Sequence, residues 1–246
     1  MDELDYLVVL IAYLVAGVIK GVTGLGFSTS CLPIMALRLD LKLAIPLVIV
    51  PSIVSNVMIM IQAGHFLDVV RRFRILYVST VPGLLLGLFM LVTINVDVAK
   101  LVLGLVLILY ALMALWQKPF TLSKASERRL KAPVGFLTGF INGLTGSQVM
   151  PVLPYLLSLG LSTSTFIQAI NISFTFSSLI MLLGINQAGY LSAPPLLVAF
   201  AAAIPVTAIV YVGGKVRNRI SSNLYQKLVL LFLLVLGGIL SVKSLV

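Results

Sequence analysis

The chain has 246 residues, of which 60% are hydrophobic and only 10% charged. A soluble domain carries about 25% charged residues and could not hide this much apolar surface in one core, so lipid is the solvent for most of the chain. The net charge of +10 does not form a nucleic-acid patch, because the basic residues sit in short gaps between apolar runs, the pattern of cytoplasmic loops.

Met1, Asp2, Glu3, Leu4 and Asp5 make an acidic start, unlike the positive start of a signal peptide, so the first apolar run reads as mature protein. That run, about 4–37, is too long for one helix and contains Gly17, Gly21, Gly24 and Gly26. The pieces flanking the glycines hold only about 12–16 residues, short of the roughly 20 needed to span the hydrocarbon. Two short helices meeting at a glycine-rich break are expected. Single spans follow at about 43–63, 75–94 and 98–117. The polar run 118–131, from Lys118 to Lys131, is read as a basic linker. A second glycine-rich stretch, about 132–160, carries Gly135, Gly139, Gly143 and Gly146, and spans at about 166–186, 190–213 and 224–242 complete the chain. Residues 1–117 and 132–246 are thus two membrane units of about five segments each.

The units are related. Shifting the chain on itself by about 122 residues lays Gly17, Gly21, Thr23 and Gly24 on Gly139, Gly143, Thr145 and Gly146. Leu32-Pro33 then falls near Leu153-Pro154, Gln62-Ala63-Gly64 near Gln187-Ala188-Gly189, Pro82 near Pro205, and Lys100-Leu101-Val102-Leu103 near Lys227-Leu228-Val229-Leu230. If each glycine-rich stretch turns back on itself, twelve basic residues share one side: Arg71, Arg72, Arg74, Lys118, Lys124, Arg128, Arg129, Lys131, Lys215, Arg217, Arg219 and Lys227. Only Arg38, Lys42, Lys100 and Lys243 fall on the other. If both stretches cross once, the split is nine against seven, which is no bias. The positive-inside rule favours the turn-back in the second half, and the repeat carries it to the first. Loops 68–74, 118–131 and 214–227 are then cytoplasmic and both termini outside. Two related halves with odd segment counts point in opposite directions, so an all-α fold of two inverted repeats is expected, the architecture of many secondary transporters.

In such folds the substrate sits near the midplane, where broken helices present free N–H groups and a positive dipole end. The breaks offer Gly21, Thr23, Gly24, Gly26 and Ser28 in the first half, and Gly143, Thr145, Gly146, Ser147 and Gln148 in the second. Glycine lets an anion approach the backbone, and the hydroxyls and the amide add donors, so one oxyanion would be reached from both halves. The same glycines could instead serve close helix packing. Lys20, the one cation inside an apolar stretch, is a functional candidate, or snorkels to the surface; its equivalent is Asn142. Asn56, Gln168 and Asn171 fit either a pathway lining or interhelical hydrogen bonds. His65, at a segment end, fits an interfacial position or a proton-coupling role. Tyr110, Trp116 and Tyr211 suit the aromatic belt. Asp2, Glu3, Asp5, Asp40, Asp68, Asp97 and Glu127 all lie outside or at the edges of spans, which leaves no buried carboxylate to relay protons.

The single cysteine, Cys31, and single histidine exclude an internal disulfide, a dithiol relay and bis-histidine haem, and no metal or other cofactor is expected. A membrane protease would need a nucleophile beside a base, and the one histidine stands at a span edge, so no enzyme is expected. An anion channel and a non-transporting accessory protein are the alternatives to a carrier.

The two glycine-rich openings, followed by Leu32-Pro33 and Leu153-Pro154 around a short basic linker, resemble the TauE/SafE family of sulfite exporters across essentially the whole chain. The resemblance implies a permease of the bacterial inner membrane for sulfur-containing anions such as sulfite or organosulfonates, with the glycine-rich pair as substrate region. The family's run of glycines is replaced here by Gly24-Leu25-Gly26-Phe27-Ser28 and by Gly146-Ser147-Gln148-Val149-Met150-Pro151, and these residues would touch the substrate. A proton as coupling ion and a homodimer complete the expectation.

Overall fold

The computed structural model describes residues 1–116, 121–191, 193–216 and 222–245. Lys118, Arg217 and Arg219, counted above on the basic side, lie outside the described residues. The chain runs as α1 (Glu3–Thr23), α2 (Phe27–Ala36), α3 (Leu41–Ala63), α4 (Phe66–Thr93), α5 (Val96–Trp116), α6 (Lys124–Thr145), α7 (Val152–Leu157), α8 (Thr163–Gln187), α9 (Ala193–Val216) and α10 (Ser222–Lys243). There is no strand among the described residues. Helices satisfy their backbone internally, which lipid requires. Six of them, α1, α3, α4, α5, α8 and α9, are long and apolar enough to cross a membrane. The protein is an all-helical, multi-pass membrane protein.

Both glycine-rich stretches break, but unevenly. α1 has 21 residues and α6 has 22, whereas α2 has 10 and α7 only 6. The expectation of two short helices at each break is corrected: the first piece is a full-length helix and the second a stub. Most of the glycines do not interrupt the helix that holds them. Only Gly24 and Gly146 take the left-handed conformation that ends one, with φ 78° and 75°, a conformation costly for any residue bearing a Cβ. The polar run is also shorter than a linker of fourteen residues. Ser123 accepts from the Ser126 N–H (3.2 Å), and residues 124–131 form the first turns of α6.

Close contacts fix the helix pairs and their directions. Gly17 faces Ile209 and Gly21 faces Gly213, so α1 and α9 run parallel. Gly135, Gly139 and Gly143 face the carbonyls of Leu76, Thr80 and Leu84, while Gly83 and Gly87 face those of Phe136 and Phe140, so α4 and α6 are parallel and nearly touching. Gly104 lies against Gly237 and Ser241, and α5 and α10 are antiparallel. α3 packs against α8 at the centre. Ser164 donates to the Ala63 carbonyl (2.6 Å) at one end of this pair, and Lys42 reaches Tyr190 at the other.

Each broken stretch doubles back. Arg38, just past α2, pairs with Asp2 and Asp5 at the start of α1, both at 2.6 Å. Leu122 donates to the Ser158 carbonyl (2.8 Å) and Tyr155 to that of Glu127 (2.9 Å), which ties the end of α7 to the start of α6. One end of the molecule therefore gathers Arg71, Arg72, Arg74, Lys124, Arg128, Arg129, Lys131, Lys215 and Lys227. The opposite end holds Arg38, Lys42, Lys100 and Lys243, the last donating to the Leu37 carbonyl (3.2 Å). At the basic end Arg72 forks onto both carboxylate oxygens of Glu127 (3.0 Å each).

Candidate functional site

The two breaks share the same capping bonds. The Gly24 N–H donates to the Lys20 carbonyl and the Gly146 N–H to that of Asn142, each at 2.7 Å. Thr23 donates to the Ile19 carbonyl (2.8 Å) and accepts from the Leu25 N–H (3.1 Å); Thr145 donates to the Ile141 carbonyl (2.7 Å) and accepts from the Ser147 N–H (3.1 Å). The two threonine hydroxyls are occupied in capping. Beyond the breaks the halves diverge. α2 starts at once behind Gly26, with no side-chain cap, and its first N–H groups have no intrahelical partner. α7 starts only at Val152, behind Pro151. Ser147 and Gln148 therefore sit in a non-helical segment, not at a helix N-terminus as expected.

The glycines divide by role. Gly143 packs on the α4 backbone, its absent Cβ falling 2.2 Å from the Leu84 carbonyl oxygen, and so serves helix packing rather than a ligand. Gly21 packs on Val210 and Gly213 and also lines a cavity. That cavity, about 610 Å³, opens at the basic end between Gly24, Ile59, Gln62, Ser164 and Lys215. A second cavity of about 370 Å³ is walled by Thr23, Gly26, Thr29 and Ser30 with Tyr110, Phe166 and Phe174. Tyr110 thus faces the interior, and its place in the aromatic belt is corrected; Trp116 and Tyr211 are exposed, as a belt requires. His65 caps α4 at the basic end without a side-chain bond.

A third space lies between the halves. Ser28, Asn142, Gly146, Gln148 and Ser178 line a small space of about 10 Å³, room for roughly one water molecule. Ser28 bonds Ser52 (2.9 Å) and Gln148 donates to Ser178 (2.8 Å). Both amide atoms of Asn142, the Gln148 oxygen and the Ser147 hydroxyl find no partner among the described residues. Gly146 is pressed against Leu32 and Ile45, whereas Gly24 lies beside Asn171 and one turn past the Lys20–Asn56 pair. Ile45 and Asn56 are about 16 Å apart along α3 by the helical rise. The expectation that both breaks aim at one central pocket is corrected: the two glycine turns are staggered, with Ser28 joining Gly146 and Gln148 around the third space while Thr23 and Gly26 meet Val149 and Leu153 around the second cavity.

Lys20 is 1% exposed and donates to the Asn56 oxygen, so it does not snorkel. Gln168 is fully buried with both amide atoms unpartnered, and Asn171 donates to the Ile167 carbonyl (2.8 Å) with its own oxygen unpartnered. Each such atom costs about 1–3 kcal/mol. Asn56 and Ser52 on α3 and Gln168, Asn171 and Ser178 on α8 thus place buried polar groups along two helices that pack together. Ser52 and Ser178 were missed; hydroxyls spaced with Asn56 and Asn171 on helical faces were the available signal. No cluster of metal-ligating side chains occurs among the described residues.

A family model described as Sulfite exporter TauE/SafE matches residues 9–240. No curated protein and no solved structure matches the chain.

Proposed function

The chain belongs to the sulfite exporter TauE/SafE family, and from that membership we propose that it carries a small sulfur oxyanion or organosulfonate across the bacterial inner membrane by alternating access along the α3–α8 pair. The observation that supports this reading is the set of unpartnered buried polar groups on α3, α6 and α8 and in the second break, which lie between the cavity at the basic end and the small space lined by Ser28, Gln148 and Ser178. The inverted repeat draws support from the helix pairs. Exchanging α1 with α6, α2 with α7, α3 with α8, α4 with α9 and α5 with α10 turns the α1–α9 pair into α6–α4 and leaves α3–α8 and α5–α10 in place. α1 and α6 leave from opposite ends of the molecule, as oppositely oriented halves must. The charge split supports a cytoplasmic basic end, and hence cavities open to the cytoplasm.

Flux into proteoliposomes tests the reading, with sulfite, sulfoacetate, taurine, thiosulfate and sulfate offered with and without a proton gradient. Saturable flux of at least one sulfur anion is expected. Ser28→Ala and Gln148→Leu should cut it at least about tenfold, the loss of roughly 1.4 kcal/mol, in protein that remains monodisperse. Flux of none of the five anions by the wild type, or full flux by both variants, overturns the assignment.

A further inference from the structure

Ser28, Thr29 and Ser30 share the first turn of α2, and that turn stands between two spaces. Ser28 borders the small one beside Gln148, while Thr29 and Ser30 border the second cavity. Thr29 and Ser30 are 3% and 1% exposed. Neither hydroxyl bonds a described residue, although Thr23, Ser55 and Thr145 each turn theirs back onto a carbonyl of their own helix. Two buried hydroxyls thus border the cavity without a partner, beside the free N–H groups and positive dipole end of a ten-residue helix that starts behind Gly26. An oxyanion set there would supply the acceptors these donors lack.

The remainder of the cavity is of another kind. No side chain lining it carries a charge, and Leu153, Phe166, Phe174, Val229 and Leu233 present hydrocarbon to it. Its volume of about 370 Å³ is that of a small-molecule site, mostly apolar with a few convergent donors. Both halves of the chain contribute to the wall, as in transporter sites at a repeat interface. Thr163 and Ile167 border this cavity and the open one alike, so the two adjoin. A dianion would bring two charges into a space with no cation, at a desolvation cost that neutral donors do not repay. A bare monoanion would leave most of the volume unfilled. Resting on the transport reading above, we propose that the second cavity binds a monoanionic sulfonate with an uncharged alkyl or aryl tail, its head on the first turn of α2 and its tail among the side chains of α7, α8 and α10. Taurine and sulfoacetate fit this site poorly, because each ends in a second charge that would be buried unpaired.

Titration calorimetry on the purified full-length protein in detergent tests the site, with methanesulfonate, propanesulfonate and hexanesulfonate as probes. Affinity should rise about threefold to fourfold per added methylene. Taurine should bind at least about tenfold more weakly than propanesulfonate. Thr29→Val and Ser30→Ala should each weaken all three alkanesulfonates by a similar factor, about threefold to tenfold. Ala114→Phe, which fills part of the cavity from α5, should flatten the dependence on tail length. A wild-type series that is flat with tail length, as a lipid already in the cavity would give, overturns the proposal. So does full affinity in both hydroxyl variants, or a slope that Ala114→Phe retains, as tails dissolving in detergent would give. Each of these leaves the transport reading standing if sulfur anions still enter proteoliposomes. Flux of none of them, the alkanesulfonates included, overturns both.

Discussion

Gly24 and Gly146 turn with the same backbone angles but stand in different company. A Cβ on Gly146 would fall 2.7 Å from Leu32 and 2.9 Å from Ile45, and at both glycines the left-handed backbone resists a side chain. Alanine at Gly24 should cost about 1–2 kcal/mol from that conformation. Alanine at Gly146 should cost a further 1–3 kcal/mol or so from overpacking. Thermal unfolding in detergent should place both Gly24→Ala and Gly146→Ala below the wild type. Gln168 makes the opposite case. Its amide is buried with neither atom bonded, so Gln168→Leu should raise the melting temperature, by roughly 1–3 kcal/mol of stability, and should lower anion flux if the α3–α8 pair lines the path. Lys20 was legible as a singular residue, a cation in an apolar stretch, but not as a buried one, because snorkelling and burial leave the same trace in a sequence. The equivalence of Thr23 with Thr145 was also legible. Their capping role was not, since a hydroxyl next to a break reads equally as a ligand.

The closest helix contact is the seam between α4 and α6, where five glycines bring two backbones almost together. Such seams replace the hydrophobic drive that lipid removes. A Cβ on Gly139 would stand 2.0 Å from the Thr80 carbonyl oxygen, with no flexible side chain to move aside. Gly139→Ala should therefore lower stability by about 1–3 kcal/mol. Gly238→Ala, on α10 with nothing within 4 Å, should leave it nearly unchanged; unfolding of the two variants in one detergent decides the matter. Five of the helices lay within a few residues of where hydropathy put them, and α4 began earlier only because helix continues through the Arg71–Arg74 cluster. The spacing of Gly135, Gly139 and Gly143 was plain in the sequence, but its partner on α4 lies more than 50 residues away, and a glycine stripe does not announce whether it receives a helix or an anion. The late start of α7 was hidden for a related reason. Pro151 was visible, yet the repeat suggested a helix beginning at Gly146.

At the scale of the molecule, charge divides the two ends, and that division can be tested directly. Cys31 is buried, so in a Cys31→Ala background an impermeant thiol reagent applied to intact cells should label Asn95→Cys at the sparsely charged end. Ala125→Cys, at the basic end, should react only after permeabilisation. The reverse pattern would invert the proposed topology. The ion pairs of Arg38 with Asp2 and Asp5 lie at the Asn95 end and are exposed, so they add at most about 1 kcal/mol to stability. Their value here is diagnostic, since they fix where the first broken stretch returns.

The seams have one more consequence. α1 lays its glycines on α9 and α6 lays its own on α4, so each half lends a helix to its sibling and borrows one back. Neither half owns a complete interior; severed, each would show lipid a groove cut for a backbone that belongs to the other.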